Sequence, residues 1–294
     1  MDQGGIIGLV PETGIVAGTN NGLYVVGING NLYQTSNHQP AGQLPFTGTA
    51  FPVFSADDAY CYAGSSKFRL SDLTLVSSQM PFTVDNRFAT LLPGNILIQA
   101  NRSGSNTIFQ RIDLGTDTVL SESNIQHSRV LWAGAIADPG GTYGLVASYS
   151  YASGSIDVGE LSSDTVLYQK SHDDYTGQIA FTKDGATALV GAYGNSYYGG
   201  GGIEFIELTN GSGYYYRQFG GSSVVVGPDD LVYVSTRYVD HFGTGSVTYG
   251  SKDKRGIDVL AWKDDGGLEA IKSYSFNYPH SYSTKPTFFI KPGQ

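Results

Sequence analysis

Apolar residues along this chain fall in short runs, and nearly every run ends in a tight turn. Inside the runs, large apolar and small or polar positions alternate. Period-two alternation bounded by Gly, Asn, Asp or Pro predicts β-strands and hairpins. The run-and-turn unit recurs at Gly8–Glu12 (GLVPE), Val53–Asp58 (VFSADD), Ala89–Asn95 (ATLLPGN), Ala135–Gly140 (AIADPG), Ile179–Gly185 (IAFTKDG), Val224–Asp230 (VVVGPDD) and Phe288–Gly293 (FFIKPG). With Pro11, Asp57, Pro93, Asp138, Asp184, Asp229 and Pro292 as markers, the gaps are 46, 36, 45, 46, 45 and 63 residues. A period of about 40 to 50 residues in an all-β pattern predicts propeller blades.

The fifth repeat sets the template. Gln178–Phe181 reads as an inner strand, Thr187–Tyr193 (TALVGAY) as the second, Gly201–Leu208 (GGIEFIEL) as the third and Tyr214–Phe219 (YYYRQF) as the outer one. The first unit reads GIIGLV, GIVAGT, GLYVVGI and NLYQTS between Gly5 and Ser36. The second has its third strand at Lys67–Leu70 and its fourth near Leu75–Ser78, and the remaining units follow the same order. No stretch sustains apolar residues at i, i+3, i+4 and i+7, so no helix of ordinary length is expected. The prediction is one all-β domain over residues 1–294: a single β-propeller of six four-stranded blades, with seven as the alternative. Its units fall at about 5–46, 47–85, 86–127, 128–174, 175–220 and 221–280. A spare strand within 281–294, Thr287–Ile290, would close the array by completing the first blade and so remove open edges.

Two units carry a likeness in motif detail. Ala180–Gly194 (AFTKDGATALVGAYG) with Gly201–Gly211 (GGIEFIELTNG), and Val226–Ser235 (VGPDDLVYVS), resemble repeats of surface-layer/YVTN and NHL-type propellers. The resemblance implies a fold and transfers no catalytic residue, since such propellers host lyases, lactonases, receptors and scaffolds alike. The Trp-Asp dipeptide of WD repeats is absent: Ala follows Trp132 and Lys follows Trp262.

Composition narrows the partners. Charged residues make up 15% of the 294, well below the average of about 25%, and Gly (40) and Tyr (21) fill the space. The net charge of −9 repels phosphate backbones, so nucleic acid is not expected. No apolar run reaches transmembrane length, and the N-terminus has no signal-peptide pattern. The expected setting is a virion or extracellular surface reached without a signal peptide, with the cytoplasm as the alternative. A lone cysteine, Cys61, sits in the strand-like AYCYA and reads as a small buried hydrophobe.

Candidate chemistry concentrates in connections between second and third strands. Ser148–Ser155 (SYSYASGS), Tyr193–Gly202 (YGNSYYGGGG) and Thr236–Gly256 (TRYVDHFGTGSVTYGSKDKRG) read as extended loops, which on a rigid scaffold carry binding residues. They hold Tyr149, Tyr151, Tyr193, Tyr197, Tyr198, Arg237, Tyr238 and His241, the expected contact surface. Tyrosine offers a broad ring with a hydroxyl handle and little rotamer entropy to lose, suited to a glycan or a protein. The five histidines are expected at the same end: His38, His127, His172 and His280 in blade-to-blade links, and His241 in the longest loop. Two readings follow. The first is a non-enzymatic binding or structural module without cofactor, part of an oligomer or larger assembly, with a protein or glycan partner. The second is a metal-assisted lyase or lactonase using His172, His241 and Asp240, with a divalent ion on His172, Asp173 and Asp174. No HxH, HExxH or CxxC spacing supports a metal, and no GxSxG supports a serine nucleophile.

Overall fold

The computed structural model describes residues 15–27, 29–46, 51–127, 131–150, 153–172, 175–193, 202–216, 224–227, 229–238, 254–263 and 266–276. They form six consecutive four-stranded antiparallel sheets, each a meander in which neighbours in sequence pair. The first holds β1 (Ile15–Gly18), β2 (Tyr24–Gly27), β3 (Asn31–Gln34) and β4 (Pro40–Gln43). The second holds β5 (Val53–Phe54), β6 (Tyr60–Ala63), β7 (Ser66–Arg69) and β8 (Thr74–Ser77), and the third β9 (Ala89–Leu92), β10 (Ile96–Ser103), β11 (Asn106–Asp113) and β12 (Thr118–Gln126). The fourth holds β13 (Leu131–Ala137), β14 (Tyr143–Ser150), β15 (Ser153–Glu160) and β16 (Thr165–His172). The fifth holds β17 (Tyr175–Phe181), β18 (Thr187–Tyr193), β19 (Gly202–Glu207) and β20 (Tyr215–Tyr216). The sixth holds β21 (Val224–Val226), β22 (Val232–Tyr238), β23 (Lys254–Trp262) and β24 (Leu268–Phe276). The one helical element among the described residues is a 3-10 turn at Asn86–Phe88, capped by the Asp85 carboxylate. The six sheets are the blades of a β-propeller.

The first blade differs from its sequence reading. GIVAGT, read as a second strand, contains the innermost strand β1, and the fourth strand is Pro40–Gln43 rather than NLYQTS. The pattern hid β4 because an outermost strand faces solvent: its residues are mostly exposed and show no apolar alternation. The blade has its four strands without Gly5–Val10, which lies outside the described residues, as does Thr287–Ile290.

The turn between first and second strands repeats in chemistry as well as in place. In blades one, two and five, a hydroxyl at its first residue donates to the side chain two residues on and accepts the N–H five residues on. Thr19 does this with Asn21 Oδ1 (2.8 Å) and Tyr24 N (3.0 Å), Ser55 with Asp57 Oδ1 (2.7 Å) and Tyr60 N (2.9 Å), and Thr182 with Asp184 Oδ1 (2.6 Å) and Thr187 N (3.0 Å). In the fourth blade Asp138 takes both roles, its carboxylate accepting from the N–H groups of Gly140, Thr142 and Tyr143. The fourth residue of each turn is left-handed: Gly22 (φ 67°), Asp58 (55°), Gly141 (69°), Gly185 (70°) and Asp230 (65°). Only Gly, or Asp and Asn with their local hydrogen bonds, adopt that conformation readily.

The chain clusters into two compact units. One is built on residues up to Gln99 with Gln110–Glu122, the other on Ala100–Phe109 with the residues from Ser123 on. Within the first, Asn20 N and Asn21 N of blade one both donate to the Asp58 carboxylate of blade two (2.8 and 2.9 Å), and Ala56 N donates to Asn95 Oδ1 of blade three (2.6 Å). The Tyr62 hydroxyl, on a fully buried side chain, donates to the Leu114 carbonyl (2.7 Å), and Lys67 Nζ sits 2.7 Å from Asp117. Buried apolar residues join the same neighbours: Val26, Leu44, Phe46, Phe54 and Phe68 between blades one and two, and Tyr62, Leu97, Ile112 and Leu114 between two and three.

The second unit repeats the step. From blade three, Asn124 N donates to Asp164 Oδ1 (2.8 Å) and the Ser123 hydroxyl to the Leu161 carbonyl. From blade four, the Tyr168 hydroxyl donates to the Glu207 carbonyl (3.0 Å), and from blade five Tyr214 donates to Gly266 (2.6 Å). Each time the outer segment of one blade grips the third-to-fourth turn of the next. Leu145, Ile156, Val190 and Ile206 pack blade four on five, and Leu189, Phe205, Val232 and Leu260 pack five on six. Cys61 is fully buried, and desolvation pushes its thiol pKa up, as expected for an inert core residue.

Two outcomes test this turn chemistry. Ser55 is 1% exposed, so Ser55→Ala removes two buried hydrogen bonds and lowers unfolding free energy by about 1–2 kcal/mol in urea titrations. The hydroxyls of Ser55 and Thr182, followed by the N–H groups of Ala59 and Ala186, hold Asp57 and Asp184 below the ordinary carboxylate range. A carboxylate with a depressed folded-state pKa stabilises above its unfolded value, about pH 4, and that contribution is lost as pH falls through the lower folded value. The melting temperature should therefore drop below about pH 4. It should drop less in Asp57→Asn/Asp184→Asn, because Asn21 already fills the same role uncharged.

Candidate functional site

In a meander, the first-to-second and third-to-fourth turns share one end of the sheet. The second-to-third connection lies at the other, with the link to the next blade. The first is the turn end and the second the loop end. The interblade hydrogen bonds above all engage the turn end or the outer strand that leads from it.

Five of the expected site residues have their backbone at loop ends of blades four to six. Tyr149 pairs with Leu131 and Gly154 near the end of β14, and His172 pairs with Gly154 as the last residue of β16. Tyr193 closes β18 opposite Tyr175, while Arg237 and Tyr238 close β22 opposite Arg255 and Lys254. Tyr151, Asp173, Asp174, Tyr197, Tyr198, Asp240 and His241 lie outside the described residues.

Two expectations are corrected. Ser148–Ser155 is not an extended loop: β14 and β15 run through it with Ser150 opposite Ser153, leaving a two-residue connection. Its Ser148, Gly154 and Ser155 are small strand residues, and Ser148 and Ser155 are fully buried. His38 is not in a blade-to-blade link. It sits in the third-to-fourth turn of blade one with φ 59°, where its N–H donates to the Gln34 carbonyl. The displaced reading of the first blade's strands moved it to the wrong end. His127 does follow the last strand of blade three, at a loop end, and is 4% exposed.

One set of charged residues was overlooked. Asp157, Glu204 and Asp258 occupy the same position of the third strand in blades four, five and six, and each is 1–2% exposed. Their sequences, Ile156-Asp157-Val158, Ile203-Glu204-Phe205 and Ile257-Asp258-Val259, carry the signal: a carboxylate between apolar neighbours in mid-strand. Each shares a sheet face with a buried valine of the second strand: Val146, Val190 and Val234. For Glu204 the counter-charge is Lys170 of blade four, with Nζ 2.7 Å from Oε1. A buried carboxylate needs such a partner, so the pair pins the outer strand of one blade to the third strand of the next.

Among the described residues, no group of three or more His, Cys, Asp or Glu is arranged to hold a metal ion, and no helix is long and apolar enough to cross a membrane. Among the described residues, a groove of about 800 Å³ lies at the turn end, between blades five and six.

No known protein family's sequence pattern matches the chain, and no curated protein matches it. Solved structures do. Hydrazine synthase of Kuenenia stuttgartiensis superposes with a TM-score of 0.54 at 14% identity, over 74% of this chain and 64% of that one. The chain thus spans less than two thirds of that protein's length. At this identity the likeness is one of fold, consistent with the propeller resemblance of the fifth and sixth repeats.

Lys170→Met should leave Glu204 buried without a counter-charge. The expected loss is about 2–3 kcal/mol of unfolding free energy, the low end for a broken buried pair because the Lys170 side chain is 26% exposed. Adding Glu204→Gln should recover most of the loss, as read by the double-mutant cycle in denaturant.

Proposed function

We propose that the chain is a non-enzymatic binding module that presents a Tyr- and Gly-rich surface at the loop ends of blades four to six to a glycan or protein partner. The virion or an extracellular surface assembly is its proposed setting. One observation carries the reading. The two long aromatic segments both run from a second strand to a third, joining Tyr193 to Gly202 and Tyr238 to Lys254. In these two blades the tight, hydrogen-bonded turns are at the other end. A scaffold whose blades are fixed at one end can vary its connections at the other without loss of stability.

The side chains suit that role. Tyr rings stack on sugar faces or bury in protein interfaces, with the hydroxyl left to bond, and Gly, Ser and Asn add adaptable polar contacts. A charge-poor composition fits an interface core, where charged residues are depleted.

Tyr197→Ala/Tyr198→Ala/Tyr238→Ala tests the reading. Immobilised glycans and candidate assembly proteins that retain the native chain should lose the triple variant by tenfold or more, with its melting temperature unchanged. Undiminished binding by a folded variant would reject the proposal.

A further inference from the structure

At the junction of blades four and five, the Tyr168 ring fills the space over the third-to-fourth turn of blade five. A Cβ built on Gly211 would lie 2.7 Å from that ring. At the next junction Tyr214 grips the corresponding turn through its hydroxyl, but its ring lies flat on Phe205, with centroids 4.7 Å apart and planes 13° apart. Phe205 in turn meets Trp262 edge-on at 5.7 Å. Among the described residues, nothing lies within 4 Å of a Cβ on Gly266. The space that Tyr168 occupies in one junction is therefore open in the next, and it forms the 800 Å³ groove.

Among the described residues, the groove is lined by Tyr214, which is 44% exposed, by Trp262, by Asp184, Glu207 and Asp230, and by one cation, Lys183. The turn hydrogen bonds use one oxygen of each of two carboxylates: Asp184 Oδ1 accepts from Thr182 and Ala186, and Glu207 Oε2 from Asn210 and Ser212. Asp184 Oδ2, Glu207 Oε1 and the Asp230 carboxylate accept no hydrogen bond from the described residues. Three negative groups beside a stacked aromatic platform match a planar cation. A guanidinium can pair with carboxylate oxygens in bidentate fashion and lie on an aromatic face at once. A neutral sugar would use the ring and leave the charge uncompensated.

We propose that this groove binds an arginine side chain on an extended segment of a partner protein. The site is at the opposite end of the blades from the tyrosine surface and stands independently of that reading. Trp262 lines it and serves as reporter, with Trp132→Phe as the background so that it is the chain's one tryptophan. The probe is the peptide Gly-Arg-Gly-Arg-Gly, acetylated and amidated, against its citrulline counterpart, which keeps the shape and loses the charge.

Saturable change of Trp262 fluorescence is expected with the arginine peptide, at least tenfold weaker with citrulline. Asp230→Asn/Glu207→Gln should weaken binding tenfold or more. Asp72→Asn/Glu122→Gln, which removes the same charge from the first unit, should stay within twofold. Asp230→Asn alone keeps the test valid if the double variant does not fold, because Asn accepts the left-handed turn position, and it should weaken binding about threefold. Equal loss in the distant control, equal binding of citrulline, or saturation by maltotriose in place of the peptide would each overturn the proposal.

Discussion

The structure depends on one constraint: no blade can satisfy itself. Each four-stranded sheet is apolar on both faces, so each needs a neighbour on either side. Blade five shows this plainly. Ala188, Val190 and Ile206 face blade four, while Leu189, Ile203 and Phe205 face blade six. Apolar burial sets that neighbours must stack but is indifferent to small slides between them. Directional bonds fix the register, and they run from the turn end of one blade to the next: Asp58 on Asn20 and Asn21, Asn95 on Ala56, Asp164 on Asn124, Tyr168 on Glu207. A carboxylate that accepts two backbone N–H groups from the preceding blade tolerates little displacement.

The turn residues therefore serve two purposes at once. Asp57 shapes its own turn, and Asp58, at the left-handed position beside it, reaches across to the preceding blade. An Asp-Asp pair in a hairpin reads locally as turn chemistry, and half of it is. The other half is a long-range contact that no local pattern reveals. The same holds for Tyr168 and Tyr214, which look like any outer-strand aromatic but act through their hydroxyls on the next blade's turn.

Much of the fold was legible because its signal is local. Strands β7, β18 and β19 stand close to where alternation put them, since both faces of inner strands are buried and their residues must be apolar or small. The fourfold order within each repeat followed from that. The outer strand β4 was not legible, because Pro40–Gln43 faces solvent and carries no period, and one missing strand shifted the reading of the whole first blade. Of the candidate site, the connections opened by Tyr193 and Tyr238 were correctly assigned as second-to-third links, whereas Ser148–Ser155 was mistaken for a loop. Polar composition normally marks a loop, but small residues such as Ser148 and Ser155 can also be fully buried within strands. The groove between blades five and six had no sequence signature, because it arises from the direction one tyrosine ring takes.

That direction has a physical cause, and it bears on why the junctions differ. Tyr168 lies in an eight-residue outer strand, β16, which holds the ring over Gly211. Tyr214 instead precedes the described residues of its outer strand, β20 (Tyr215–Tyr216). Its main chain still bonds to β19, where the Tyr214 carbonyl accepts from Phe205 N at 3.0 Å. A Cβ on Gly213 would run into the Phe205 carbonyl, so the chain there approaches more closely than any other residue would allow. The close approach brings the next side chain onto the Phe205 ring instead of over the turn. A glycine thus allows the close approach that lays an aromatic ring on Phe205 beside the groove, while the hydroxyl keeps the blades tied. Within one side chain, the Oη holds the scaffold while the ring stays 44% exposed at the groove.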